Sequence, residues 1–215
     1  MPLQNRVTPF GELVADAGRG LLFGNRGGRF HDPATRRLRT RRWASKQWIV
    51  CLLAFKGRHR EVWKTGYTEL FFLDEVTALA AGHRPCCECR RAAARGFHAA
   101  VVAAGEPPSS LDEIDARLHC ERLDGRGKRL HRRIAERLPD GAMITLGDKA
   151  FAVRGDAILP WSPAGYGAPR PRPSGMVEVL TPPLALAALA GGYAPCGIRP
   201  QSPIPASAAP QIRLK

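Results

Sequence analysis

The chain has no apolar run approaching the ~18 residues that a membrane-crossing helix needs. No membrane association is therefore expected. Its first residues, Met1 to Phe10, hold no apolar stretch of the kind that opens a secretory leader, which makes the cytoplasm the expected compartment. Acidic residues are scarce as well: 19 Asp+Glu stand against 33 Lys+Arg in 215 residues, leaving +14 at pH 7 and a pI near 10.4. Small soluble domains usually carry a net charge of magnitude about 2–8, so the excess asks for a polyanionic partner, DNA or RNA. Most of the cations are Arg, whose planar fork meets phosphate bidentately. Cysteine is sparse, with six residues at 51, 86, 87, 89, 120 and 196. In a reducing compartment the cluster at 86–89 argues for metal or redox chemistry over a disulfide framework.

What is present suffices for a core, at 44% hydrophobic residues. Residues 1–47 read as a basic, irregular Gly/Arg-rich arm containing the run Arg36-Arg37-Leu38-Arg39-Thr40-Arg41-Arg42-Trp43. Between Arg26 and Lys46 eight Lys/Arg meet one acid, Asp32. Residues 48–105 form a second unit. It opens with a buried strand from Trp48 to Phe55, a turn, and a second strand near Glu61 to Lys64 that completes a hairpin. A third strand over 68–72 leads to a short helix opened by Asp74 or Glu75 and ended by Gly82, then the cysteine turn and a helix from Arg90 to Ala104. Residues 106–199 form a third unit, where Ser110 and Glu113 make a capping box for a helix to about Leu123. Lys128 to Leu138 reads as a second, strongly basic helix. Gly147-Asp148 and Gly155-Asp156 then turn a β-meander between Ala142 and Leu159. The stretch from Pro160 to Gly175 is too rich in Pro and Gly to be regular, a strand follows from Met176 to Leu180, and Thr181 caps a helix that Pro182 opens and Gly191-Gly192 ends. Residues 200–215 have the composition of a disordered tail. The strand–helix–turn from Glu69 to Cys86 is echoed from Glu178 to Cys196, with Glu-to-Cys separations of 17 and 18 residues. The expected fold is α+β, with small antiparallel hairpins and short helices, a zinc-ribbon-like N-terminal unit and a helical plus β-meander C-terminal unit.

Cys86 and Cys89, spaced Cys-x-x-Cys, can aim two thiolates at one ion from a tight turn, which is half of a tetrahedral zinc site. A redox dithiol is the competing use, but no thioredoxin-like βαβ context surrounds the pair. The segment from Phe71-Phe72 through Ala78-Leu79-Ala80-Ala81-Gly82-His83-Arg84-Pro85-Cys86-Cys87-Glu88-Cys89 resembles the second half of the Ada-type zinc-binding domain, the module that opens bacterial alkylation-repair regulators. The likeness runs without a gap over 19 residues, 71–89. It implies zinc held by the two cysteines beside a DNA backbone, and a link with DNA repair. The family's upstream Cys-x-x-x-Cys pair is missing, since the comparable region around Phe55 and His59 offers only His59, so methyl transfer is unsupported. Zinc at Cys86 and Cys89 would be completed by Cys51 or His59, with Cys87, His119 and Cys120 as further donors. Cys51 also suits a plain core position in its apolar strand.

The expected nucleic-acid contacts are Arg36, Arg37, Arg39, Arg41, Arg42 and Trp43 in the arm, Arg84 at the cysteine turn, and Lys128, Arg129, Arg132 and Arg133 in the second basic segment. Between Arg122 and Arg137 seven Lys/Arg meet two acids. Such density fits backbone phosphates, with an exposed Trp available to stack on a base. The expected function is binding of DNA or RNA through the phosphate backbone, with zinc as the cofactor. Two alternatives stay open. A metal-dependent nuclease would draw on Asp112, Asp115, His119 and Arg122, which share a helix face, although no familiar nuclease signature stands out. A structural component of a ribonucleoprotein or other large assembly would use the basic arm and the tail.

Overall fold

The computed structural model describes residues 1–18, 20–58 and 61–197. The tail over 200–215 and His59 lie outside the described residues. The N-terminal half holds strands β1 (Arg6–Val7), β2 (Leu13–Val14), β3 (Leu22–Arg26), β4 (His31–Asp32), β5 (Arg37–Leu38), β6 (Trp48–Leu52) and β7 (Leu70–Phe72). Helix α1 (Glu75–Ala80), strand β8 (Arg84–Pro85) and helices α2 (Arg91–Ala103) and α3 (Leu111–Arg122) follow. The C-terminal half holds β9 (Leu123–Asp124), β10 (Gly127–Lys128), β11 (His131–Ile134), β12 (Met143–Leu146), β13 (Lys149–Arg154) and β14 (Ala157–Ser162). It ends with β15 (Gly165–Tyr166), β16 (Arg170–Pro171), β17 (Met176–Val179) and α4 (Pro183–Ala190). The fold is α+β. One sheet has the order β2-β1-β7-β3-β6-β8, antiparallel except where β1 meets β7 and β6 meets β8. A seven-stranded antiparallel sheet runs β11-β17-β12-β13-β14-β15, with β16 also on β14.

Helix α1 sits where the hydrophobic clusters meet, and every one of its residues is buried. Ala78 packs with Val50 and Phe72 of the first sheet, Leu79 with Phe97 and Ile144, and Val76 and Ala80 with Met143 and Leu159. A short helix buried on all sides belongs in an interior, and its alanines let the neighbouring layers approach. Asp74 caps it by accepting from the Thr77 amide at 2.8 Å and also takes the Tyr166 hydroxyl at 2.8 Å. Glu75 takes both Nη atoms of Arg90 at 2.7 and 2.6 Å, the Tyr193 hydroxyl and the Cys196 amide. Burial pushes the Glu75 carboxyl up, and these four donors overcome it and hold the group below its ordinary range.

The echoed strand–helix–turn is visible in the backbone. After α1, Gly82 and His83 donate to Leu79 and Ala78, and after α4, Gly192 and Tyr193 donate to Leu189 and Ala188. Gly82 and Gly192 take φ of +81° and +95°, the left-handed step that lets both chains turn away from the helix.

Several expectations need correction. Glu61 to Lys64 is no strand, and β6 pairs instead with β3 and β8, ending at Leu52 with Leu53 exposed. Tertiary anchoring replaces the ladder there: Trp63 is buried at φ +61°, stacks on His31 at 5.4 Å, and is held by Glu69 through both its amide and its indole N–H. Residues 128–138 are not a basic helix but β10, β11 and a 3-10 turn over Ala135–Arg137. β17 offers β11 an antiparallel partner that sets Arg132 across from Glu178, and this pairing overrides the helical spacing of Leu130, Ile134 and Leu138, of which Leu138 alone is buried. Thr181 does not cap α4. Pro182 takes the cap position, while the Thr181 hydroxyl accepts the Met143 amide at 2.8 Å. The first 47 residues contain β1 to β5, and the Pro/Gly-rich stretch after Pro160 contributes the end of β14 along with β15 and β16.

Arg84 and Asp115 tie β8 to α3 with two bonds of 2.8 and 2.7 Å, both side chains buried. Asp115→Ala strands that guanidinium and is expected to cost about 3–5 kcal/mol by urea denaturation, whereas the double change Arg84→Met, Asp115→Leu should recover most of the loss.

Candidate metal centre and basic face

The parallel pairing of β6 with β8 sets Ile49 beside Arg84 and Val50 beside Pro85, so the next residues, Cys51 and Cys86, leave the pairing side by side. The Cys86 amide bonds the Val50 carbonyl at 2.9 Å, and the chain then coils so that Arg90 N–H reaches the Cys86 carbonyl, which swings Cys89 back over the pair. The sulfurs of Cys51, Cys86 and Cys89 lie within 4.8 Å of one another. Among the described residues this is the group of His, Cys, Asp or Glu atoms close enough to hold a metal ion. Three thiol donors suit a soft tetrahedral ion, whose sulfur ligands at about 2.3 Å would stand about 3.8 Å apart. Cys51 and Cys86 are buried, and all three cysteines line a cavity of about 260 Å³ walled by Phe23, Phe55 and Tyr67.

Without metal the cluster shares its protons unevenly. The hydrogen bond from Cys51 draws the Cys86 thiol down to about 5, helped by the Cys89 and Glu88 amides and opposed by burial. Cys51 is pushed far up by donating that bond and by its burial, and Cys89 is raised by burial and then by the charge on Cys86. Cys86 therefore ionises first, and a metal ion held by the three sulfurs would displace the protons on the other two.

The remaining donors fall elsewhere. Cys87 accepts from Arg84 Nη1 at 3.4 Å, Cys120 and Cys196 are exposed, and the helix-face candidates are consumed: Asp115 by Arg84, and Arg122 by the Gly82 and Lys46 carbonyls. Arg84, expected at a phosphate, is 3% exposed and closes on Asp115. The cause is the acid one helix away, which gives the guanidinium a buried partner.

No family model matches the chain, and neither does any curated protein or solved structure.

Most of the other expected contacts lie at the surface. Arg36, Arg37, Arg39 and Arg41 are exposed in the arm, as are Arg129, Arg132 and Arg133 in the second segment. The two segments converge, because Arg42 and Trp43 line one cavity together with Arg126 and Lys128. Trp43 is half-buried, with its ring 5.9 Å from Trp48 and 5.8 Å from His119, and it lines the cavity. Arg26 and His83 are not singled out by the sequence, and Arg122 only as part of the α3 face, yet the three meet at Trp48. Arg122 had a signal: it follows Ile114 and Leu118 at intervals of four, on the core stripe of α3, where a cation is out of place. Arg26 ends an apolar strand in the same way.

Titration with a thiophilic divalent ion is expected to saturate at one ion per chain, with proton release. Saturation should be abolished in Cys86→Ser and Cys89→Ser, strongly weakened in Cys51→Ser and retained in Cys87→Ser. Undiminished binding by Cys51→Ser would remove β6 from the site.

Proposed function

We propose that this protein binds nucleic acid along its phosphate backbone and holds a zinc ion at Cys51, Cys86 and Cys89. The observation that carries the reading is the convergence of two basic segments, distant in sequence, on one cavity beside Trp43, with exposed arginines in both segments. Exposed arginines on loops and edge strands engage phosphates without demanding a base sequence, and an indole at the rim gives an unpaired base a surface to stack on. The zinc acts at a distance from that cavity, by clamping β6 to the turn after β8. The donor set supports zinc over harder ions, and the Ada-type likeness over 71–89 points the same way. The absence of a free carboxylate cluster on α3 argues against the nuclease alternative drawn from that helix.

The reading makes affinity steeply salt-dependent, because each neutralised phosphate releases counterions. In fluorescence anisotropy with a short single-stranded oligonucleotide, affinity should fall by orders of magnitude between about 50 and 200 mM salt. Replacing Arg36, Arg37, Arg39 and Arg41 by Ala should flatten the log–log slope by about 3, or roughly 0.7 for each phosphate that is no longer neutralised. A flat response of the unmodified protein would contradict the proposal.

A further inference from the structure

The cavity where the basic segments meet has a volume of about 450 Å³, and its lining includes five cations, Arg26, Arg42, Arg122, Arg126 and Lys128, against one carboxylate, Glu12. Arg26 and Arg122 are 2% and 1% exposed, with guanidinium carbons 3.9 and 3.8 Å from the centre of the Trp48 ring. All of their hydrogen-bond acceptors are uncharged. Arg26 donates to the Gly11 and Arg42 carbonyls and to His83 Nε2, and Arg122 donates to the Gly82 and Lys46 carbonyls and to His119 Nδ1. Lys128 Nζ donates to the Ala80 carbonyl. Arg122 Nε–H has no partner, and none of the ion pairs among the described residues involves any of the five cations.

This is not how the chain treats its other buried arginines. Arg84 and Arg90 each meet a buried carboxylate with two bonds. A buried guanidinium cannot shed its proton and is costly without a counter-charge. The Trp48 ring offsets part of that cost. What remains is a preorganised deficit of negative charge facing a cavity large enough for a nucleotide.

We propose that this cavity binds a phosphomonoester carried on a nucleotide, either the phosphorylated end of a nucleic-acid strand or a free nucleotide. Arg122, Arg126 and Lys128 hold the phosphate, while Trp43 and Phe10 wall the space for its sugar or base. A monoester carries close to two charges, which answers the imbalance better than one backbone diester does. Burial, followed by the neighbouring Arg122 and Arg26, lowers the Lys128 ammonium to about 7, and an anion in the cavity would raise it again. The choice of a nucleotide as the carrier rests on the backbone-binding reading, whereas the demand for an anion does not.

The test has two arms. Inorganic phosphate and adenosine monophosphate, compared with chloride at equal ionic strength, should raise the melting temperature by several degrees and change tryptophan emission. An oligonucleotide bearing a terminal phosphate should bind about tenfold more tightly than the same strand ending in a hydroxyl. Lys128→Met should erase that preference, and Arg126→Ala, exposed at the rim, should cut it several-fold and serves if the first variant fails to fold. If both strands bind equally and neither anion stabilises more than chloride, the pocket proposal is wrong and backbone binding stands. Stabilisation by the small anions with no binding of either strand keeps the pocket, makes a free nucleotide its ligand, and defeats the backbone reading.

Discussion

Two residues of parallel pairing, Ile49 with Arg84 and Val50 with Pro85, decide where the chemistry of this protein lies. At one end of the pairing, Cys51 and Cys86 emerge together and Cys89 closes over them. At the other, Trp48 meets His83 with ring centres 5.0 Å apart and takes Arg26 and Arg122 against its face. In between, Arg84 reaches across to Asp115 and fixes α3, which in turn delivers Arg122. A metal at the thiols would therefore stiffen the strand pair that carries Trp48. The cysteine cluster and the basic cavity are two ends of one short ladder.

The protein handles buried charge in two ways. Where charge serves architecture it is neutralised on the spot, as with Arg84 on Asp115 and Arg90 on Glu75, and these pairs lock β8 and α2 to their neighbours. Around Trp48 the positive charges are held by carbonyls, imidazoles and a ring, none of which carries a negative charge. Those bonds tie the arm, the turn after α1 and α3 together but leave the charges without an ion-pair partner. That arrangement suits a surface that meets an anion from outside, which is why the basic composition and the cavity belong to one account.

Much of the local structure was legible in the sequence. Asp74 and Gly82 bound α1, the Ser110–Glu113 box opens α3, and the Gly-Asp turns space the meander from β12 to β14, all through local chemistry. Cys86 and Cys89 were legible from their spacing. The third sulfur was among the candidates, but its convergence depends on a parallel pairing across more than thirty residues, which no local pattern records. The same holds for the errors. Residues 131–134 have a composition compatible with a helix and become a strand because β17 lies beside them, and Arg84 turns inward because Asp115, on a separate helix, waits for it. Local signals named the elements, and long-range pairing chose the partners.

On the proposed function, nucleic acid meets the protein at the cavity lined by both the arm and the segment after α3. Chemical-shift mapping of the metal-loaded protein with a short single-stranded oligonucleotide tests it most directly. The largest perturbations are expected on the Trp43 indole N–H and on the amides of Arg42, Arg126 and Lys128. Perturbations confined to the groove beside the cysteines, around Leu53 and Phe55, would contradict it.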